Sequence, residues 1–123
     1  MATTPNALWM DDGGYTTRVT LPTNPEQCTA VIRAITNSSG LETVALGPRF
    51  AMWVDETGGM LGHHRRPDND LATRLAHHYN VTGKIRGPVV ITGPTSKGSV
   101  LLSEEGLVDI EYDLGANAFW GAP

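Results

Sequence analysis

The sequence predicts a small single-domain α+β fold, with two or three helices packed on an antiparallel or mixed sheet of about five or six short strands. Three observations support this prediction. The chain has 123 residues, the usual size of one domain. It carries 14 Gly and 8 Pro, which indicates many turns between short elements. Apolar residues recur with helical spacing in some segments and alternate with polar residues in others.

The N-terminal part of the domain reads as a β-hairpin followed by a helix. Asp and Gly at 11–14 favour a tight turn between strands expected at 7–10 and 15–21. Asn24 then suits an N-cap, and a helix is expected over 24–36. Its core-facing side chains at helical spacing are Cys28, Val31, Ile32 and Ile35.

The middle of the chain predicts two more strands and a second helix. Strands are expected at 41–46 and 50–55, and the Gly-Gly pair at 58–59 indicates another hairpin after them. Asp68 or Asn69 would then cap a helix that ends near residue 79. Both helices are expected on one face of the sheet.

The C-terminal part contains a buried strand and an ambiguous segment. The β-branched run bounded by Gly and Pro at 87–93 suits a buried strand. Segment 103–114 alternates like a strand, but it also has a cap at Ser103 and helical apolar spacing, and the cap favours a helix. The domain is therefore expected over 7–114, with a flexible N-terminus at 1–6 and a tail at 115–123.

Charge and cysteine content narrow the class of protein. The net charge of −4 gives no general attraction to nucleic acid, which usually needs a basic face. No apolar run is long enough for a bilayer span, and the first residues lack a signal-peptide pattern. The lone Cys28 allows no internal disulfide and fits a reducing compartment. The sequence therefore predicts a cytoplasmic protein with no nucleic-acid or membrane partner.

Charged side chains, histidines and a helix cap are most concentrated between Phe50 and Leu75. Arg65 and Arg66 precede the cap at Asn69, and two guanidinium groups beside a helix N-terminus could hold a carboxylate, a phosphate or an acidic residue of a partner. The alternative is that they form surface ion pairs, which contribute little to stability, with Asp55, Glu56, Asp68 or Asp70. The candidate binding residues are Arg65, Arg66, Asn69 and Asp55.

Catalytic and metal chemistry is less favoured by the sequence. The pairs at 63–64 and 77–78 are adjacent histidines, whose rings diverge on a helix, so no metal or other cofactor is predicted. The loop at 93–99 lacks the Gly-Lys-Ser/Thr order of a nucleotide-binding loop. Cys28 is expected in the core, and no nucleophile motif is present. A binding protein is therefore favoured over an enzyme.

Several short motifs, in their order, resemble a small uncharacterised family that is common in bacteriophages and mobile elements. The matching pieces, which span roughly Tyr15 to Ile110, are Trp53–Gly58, Pro67–Asn69, Asn69–Thr73, Ile85–Gly93 and Leu102–Glu105. The resemblance implies a phage or prophage accessory protein without a known activity, and the expected cytoplasm is then that of the host cell. Asn69 is the residue most readily carried over, although a helix cap explains it equally well.

Three functional hypotheses follow. The first is a non-enzymatic phage accessory protein that binds a host protein through Arg65 and Arg66. The second is a small-molecule or nucleotide-binding protein that sequesters an anionic metabolite near Arg65, Arg66, Asn69 and Lys97. The third, a metal-dependent hydrolase, is the least favoured. An uncovered strand edge would also allow a homodimer.

Overall fold

A computed structural model of the chain describes residues 4–56, 66–96 and 100–121, with side chains described as far as residue 115. The strands are β1 (Ala7–Met10), β2 (Thr16–Val19), β3 (Leu41–Leu46), β4 (Phe50–Asp55) and β5 (Val89–Thr92). The helices are α1 (Pro25–Ile35), α2 (Asp70–His78) and α3 (Glu104–Gly121). The predicted hairpin at 58–59 lies outside the described residues.

The five strands form one antiparallel sheet in the order β2-β1-β5-β4-β3. The small α+β fold predicted from the sequence is therefore confirmed. β5 lies in the centre of the sheet, and all four of its side chains are buried. In the described part of the chain, β2 and β3 are the edge strands.

The helices lie on opposite faces of the sheet, so the prediction that α1 and α2 share one face is wrong. Cys28 and Ile32 of α1 pack with Ala7 and Val90 on one face. The other face packs against α2 and α3, whose core side chains are Ala72, Leu75, Ala76, Leu107, Ile110 and Leu114. Because the central strands are covered on both sides, their sequences are apolar at nearly every position.

Side-chain caps define the beginnings of the helices. In α1 the Asn24 Oδ1 atom accepts a hydrogen bond of 3.0 Å from the Gln27 N–H. In α3 the Ser103 Oγ atom accepts one of 3.1 Å from the Gly106 N–H. Segment 103–114 is therefore helical from Glu104, as its cap predicted, and not a strand.

Cys28 lies in the core, as its position on the apolar stripe of α1 predicted. The side chain is buried, and burial raises the pKa of the thiol, which disfavours the reactive thiolate. Trp9 and Trp53 are partly buried against the α1 side of the sheet, and their indole groups donate hydrogen bonds to the Ile35 carbonyl and the Thr92 hydroxyl. No helix in the described part of the chain is long and apolar enough to cross a bilayer.

Candidate functional site

Asp55 and Arg66 form an ion pair inside the protein. Asp55 ends β4, and its side chain is 3% exposed. The Arg66 Nε atom lies 2.6 Å from Asp55 Oδ2, and the Arg66 side chain is 21% exposed. The Arg66 Nη2 group also donates to the carbonyl of Asn37, just beyond α1. Arg66 therefore ties the segment before α2 to the ends of β4 and α1.

Arg66 also packs against the backbone of Gly87, in the segment that leads into β5. Gly87 has a φ of 76°, a conformation that residues with a side chain rarely adopt. A Cβ atom at this position would lie 2.6 Å from Arg66 Cδ. Glycine at 87 thus allows the close approach of the arginine side chain.

Asn69 is fully buried and is bonded on both sides of its amide. Its Oδ1 atom caps α2 by accepting a hydrogen bond of 3.1 Å from the Ala72 N–H. Its Nδ2 group donates to the carbonyls of Gly87 at 2.9 Å and Asp11 at 3.2 Å. Asn69 therefore joins the start of α2 to the first hairpin and to the segment before β5.

Three of the four predicted binding residues are thus placed by the structure. Asp55 and Arg66 are brought together, and Asn69 directs its amide into the interior. Arg65 lies outside the described residues, as does Lys97. For Arg66 the partner is Asp55, one of the carboxylates that the alternative offered, but the Asp55 side chain is buried, whereas that alternative placed the ion pair at the surface. The binding role of the four residues stays a prediction.

The histidines in the described part of the chain are both on the surface. His77 Nε2 lies 3.1 Å from the Gly83 carbonyl oxygen, and His78 packs edge-on against Tyr79. No group of three or more His, Cys, Asp or Glu side chains suited to a metal ion occurs among the described residues. His63 and His64 lie outside that part of the chain.

A different surface exposes apolar side chains, and sequence reasoning did not select it. Tyr112 is 75% exposed and Val108 is 49% exposed, one helical turn apart on α3. Glu105 is exposed three residues before Val108, so these three side chains share the side of the helix away from the core. We call Glu105, Val108 and Tyr112 the outer face of α3. The signal was present in the sequence, because Val108 and Tyr112 lie opposite the core-facing leucines.

Carboxylates border the outer face of α3 on both sides, and each has a partner from another element. On one side Glu104 and Glu111 both bind Arg18 of β2, at 2.9 Å and 2.6 Å. On the other side Asp109 binds Arg49 at 2.6 Å. Asp113, on that same side, accepts a hydrogen bond from the Tyr79 hydroxyl. Val108 and Tyr112 are therefore flanked on both sides by carboxylates whose positions are fixed by ion pairs or hydrogen bonds.

The surface around the outer face of α3 is acidic. α3 contains no Lys or Arg, and its five carboxylates are Glu104, Glu105, Asp109, Glu111 and Asp113. Among the described residues, the guanidinium groups that form ion pairs with these carboxylates belong to Arg18 and Arg49, so carboxylates outnumber guanidinium groups in this part of the surface. Glu105 makes no ion pair with any described residue. A positively charged partner would therefore be attracted to this surface.

The ion pair between Arg18 and Glu111 makes the free energy of unfolding depend on pH. Two hydrogen bonds from Arg18 hold the pKa of Glu111 below its usual range. The unfolded chain therefore binds this proton more tightly, and the pair's contribution is present above about pH 5 and is lost as the pH falls through the folded-state pKa. Urea unfolding between about pH 7 and pH 3 should show a shallower decline for Glu111→Gln than for the wild type.

Glu105→Gln is the matched control for this prediction, because it removes a carboxylate of the same helix that has no ion pair among the described residues. It should leave the pH dependence as in the wild type. Equal slopes for Glu111→Gln and Glu105→Gln would show that the contact with Arg18 does not contribute to folding.

No protein-family profile, no curated protein and no solved structure matches this chain.

Proposed function

We propose that this chain is a non-enzymatic accessory protein that binds a host protein through the outer face of α3. The phage or prophage setting comes from the resemblance of the sequence motifs alone. The observation that supports binding at this surface is the exposure of Tyr112 and Val108, one turn apart on one helix. Arg66 is a weaker candidate for the contact, because its guanidinium is engaged with Asp55 and the Asn37 carbonyl.

The expected affinity comes mainly from apolar burial. Covering the side chains of Tyr112 and Val108 would contribute about 3 kcal/mol, since a large side chain gains about 1.5–3 kcal/mol on full burial. Tyrosine is enriched among the residues that dominate binding energy, and a polar rim that excludes water strengthens such contacts. The carboxylates beside the outer face of α3 supply such a rim.

The partner surface is expected to be basic with an apolar centre. The excess negative charge beside the outer face of α3 favours lysine and arginine opposite it and disfavours acidic surfaces. Such complementarity raises the association rate, and this effect weakens as salt screens the charges. Binding should therefore weaken with added NaCl, and mainly through a slower association rate.

The double variant Val108→Ser/Tyr112→Ser tests this proposal. The tagged wild-type chain would be used to isolate partners from a lysate of the cells that carry its gene, and each partner identified by mass spectrometry would then be purified. We expect the double variant to bind that partner at least about tenfold more weakly in isothermal titration calorimetry. Both side chains are exposed, so the unfolding midpoint should change little.

The matched control is Ala30→Ser/Ala34→Ser, which adds two serines to the exposed side of α1 on the other face of the sheet. This control should bind as the wild type does. Equal affinities of the wild type and Val108→Ser/Tyr112→Ser would contradict the proposal. So would a purified partner that is acidic and binds more tightly at high salt.

A further inference from the structure

β3 is an edge strand whose outer backbone groups can be assigned. The Glu56 N–H donates to the Gly40 carbonyl at 3.2 Å, so residues 40 and 56 form a hydrogen-bonded pair. Along an antiparallel ladder, hydrogen-bonded pairs alternate with pairs that are not hydrogen-bonded. The next hydrogen-bonded pairs are therefore 42 with 54, 44 with 52 and 46 with 50. The N–H and C=O groups of Leu41, Thr43 and Ala45 therefore point away from β4.

These outer backbone groups have no hydrogen-bond partner among the described residues. β3 also lacks the usual protection of an edge strand, because it contains no Pro, no Lys and no bulge against β4. Its one charged side chain is Glu42, which is exposed and makes no ion pair with any described residue. Within the described residues, the edge is thus open to a further strand.

A groove runs along the same edge on the α1 side of the sheet. Its volume is about 210 Å³, and its lining includes Thr43, Ala45, Ala51, Pro48, Pro94 and Thr95. Thr43 and Ala45 are exposed in it, because α1 packs over the central strands of the sheet. A strand added beside β3 would direct every second side chain toward this groove.

We propose that β3 pairs with an extended peptide segment of a partner protein, which adds a strand to the sheet beside β3. Backbone hydrogen bonds to Leu41, Thr43 and Ala45 would hold the segment, and small or β-branched side chains would enter the groove. The alternate side chains would lie on the other face beside Glu42, where lysine or arginine is favoured. The segment is therefore cationic, with alternating apolar residues.

A second copy of this chain fits the edge less well. If β3 of two copies paired antiparallel, the register that uses all three outward-facing residues of each copy would place Thr43 opposite Thr43. It then brings Glu42 diagonally next to Glu42 of the second copy, about 7–8 Å away. The two carboxylates repel each other at this separation, whereas a cationic peptide is attracted by the same carboxylate.

Amide hydrogen exchange followed by NMR tests the proposal on the full chain. The probe is an acetylated and amidated heptapeptide of alternating lysine and valine, with a glutamate/valine heptapeptide as its control. Without peptide, the amides of Leu41, Thr43 and Ala45 should exchange fast, while those of 42, 44 and 46 are protected by β4. The lysine peptide should slow the three fast amides by roughly tenfold or more, and the glutamate peptide should not.

Three variants test whether the peptide binds through the backbone of β3 and through the charge of Glu42. Thr43→Pro removes an outward N–H and blocks the edge, so peptide protection at 41 and 45 should vanish, whereas Thr43→Val should keep it. Glu42→Lys leaves the backbone intact and should reverse the preference between the two peptides, which keeps the test valid if the proline variant fails to fold. Unchanged exchange at 41, 43 and 45 with the lysine peptide would overturn the proposal. Protection that rises with protein concentration alone would overturn it too, in favour of a second copy.

Discussion

Replacing Arg66 with methionine is expected to lower the free energy of unfolding by about 3 kcal/mol. The substitution keeps the length of the aliphatic side chain that packs on Gly87 but removes the charge. It removes the Arg66 guanidinium from the Asp55 carboxylate, which is 3% exposed, and takes this donor away from the Asn37 carbonyl. Breaking a buried ion pair from one side costs far more than the pair itself contributes, because the remaining charge stays buried. Urea unfolding at pH 7 measures this loss.

Arg49→Met is the matched control for Arg66→Met. Arg49 also forms an ion pair at 2.6 Å, but its side chain is 57% exposed and that of Asp109 is 40% exposed. Solvent screens such a pair, so its removal should shift the unfolding midpoint only slightly. If Arg66→Met were as stable as Arg49→Met, the guanidinium of Arg66 would be available for a ligand, as the sequence hypothesis requires.

Replacing Asn69 with aspartate is expected to destabilise the fold by about 3 kcal/mol at pH 7. The new carboxylate keeps an acceptor for the Ala72 N–H, so the cap of α2 survives. It cannot donate to the carbonyls of Asp11 and Gly87, and it puts a charge opposite them in a fully buried position. The pKa of the introduced carboxyl should therefore rise, since only the protonated form can donate. The loss should shrink as the pH falls toward about 4.

The variant Asn24→Asp is the control that separates the loss of the buried Asn69 hydrogen bonds from any change in helix capping. Asn24 caps α1 in the same way, through its Oδ1 atom and the Gln27 N–H, but it is exposed, and its amide nitrogen donates to no described group. Aspartate is as good an N-cap as asparagine, so Asn24→Asp should be nearly neutral. Urea unfolding of both variants at pH 7 and at lower pH would show the difference. If Asn69→Asp and Asn24→Asp were equally stable, Asn69 would contribute only as a helix cap.

Local patterns in the sequence predicted the elements of this fold well. The strand bounds at β3 and β4 and the caps of α1 and α3 depend on neighbours within a few residues, and turn and cap chemistry specifies such features. The helix in segment 103–114 followed from the Ser103 cap although the sequence also alternates like a strand. Strand order was not predicted, because pairing across the sheet leaves no local signature.

The errors concern contacts between distant parts of the chain. Placing both helices on one face overlooked a signal in β4 and β5, whose consecutive apolar residues indicate strands covered on both sides. The double-arginine motif suggested an external anion, but the partner of Arg66 is Asp55, brought close by the end of β4. Likewise, Asn69 was recognised as a cap, while its hydrogen bonds to Asp11 and Gly87 depend on the assembled fold.

Site-specific photocrosslinking tests the proposed role of the outer face of α3 most directly. The photoreactive residue p-benzoylphenylalanine would replace Tyr112 in one variant and Ala34 of α1, on the other face of the sheet, in another. Irradiation of cells that carry the gene should crosslink position 112 to a basic host protein that position 34 does not reach. No crosslinked product at position 112, or the same products from both positions, would contradict binding through this face.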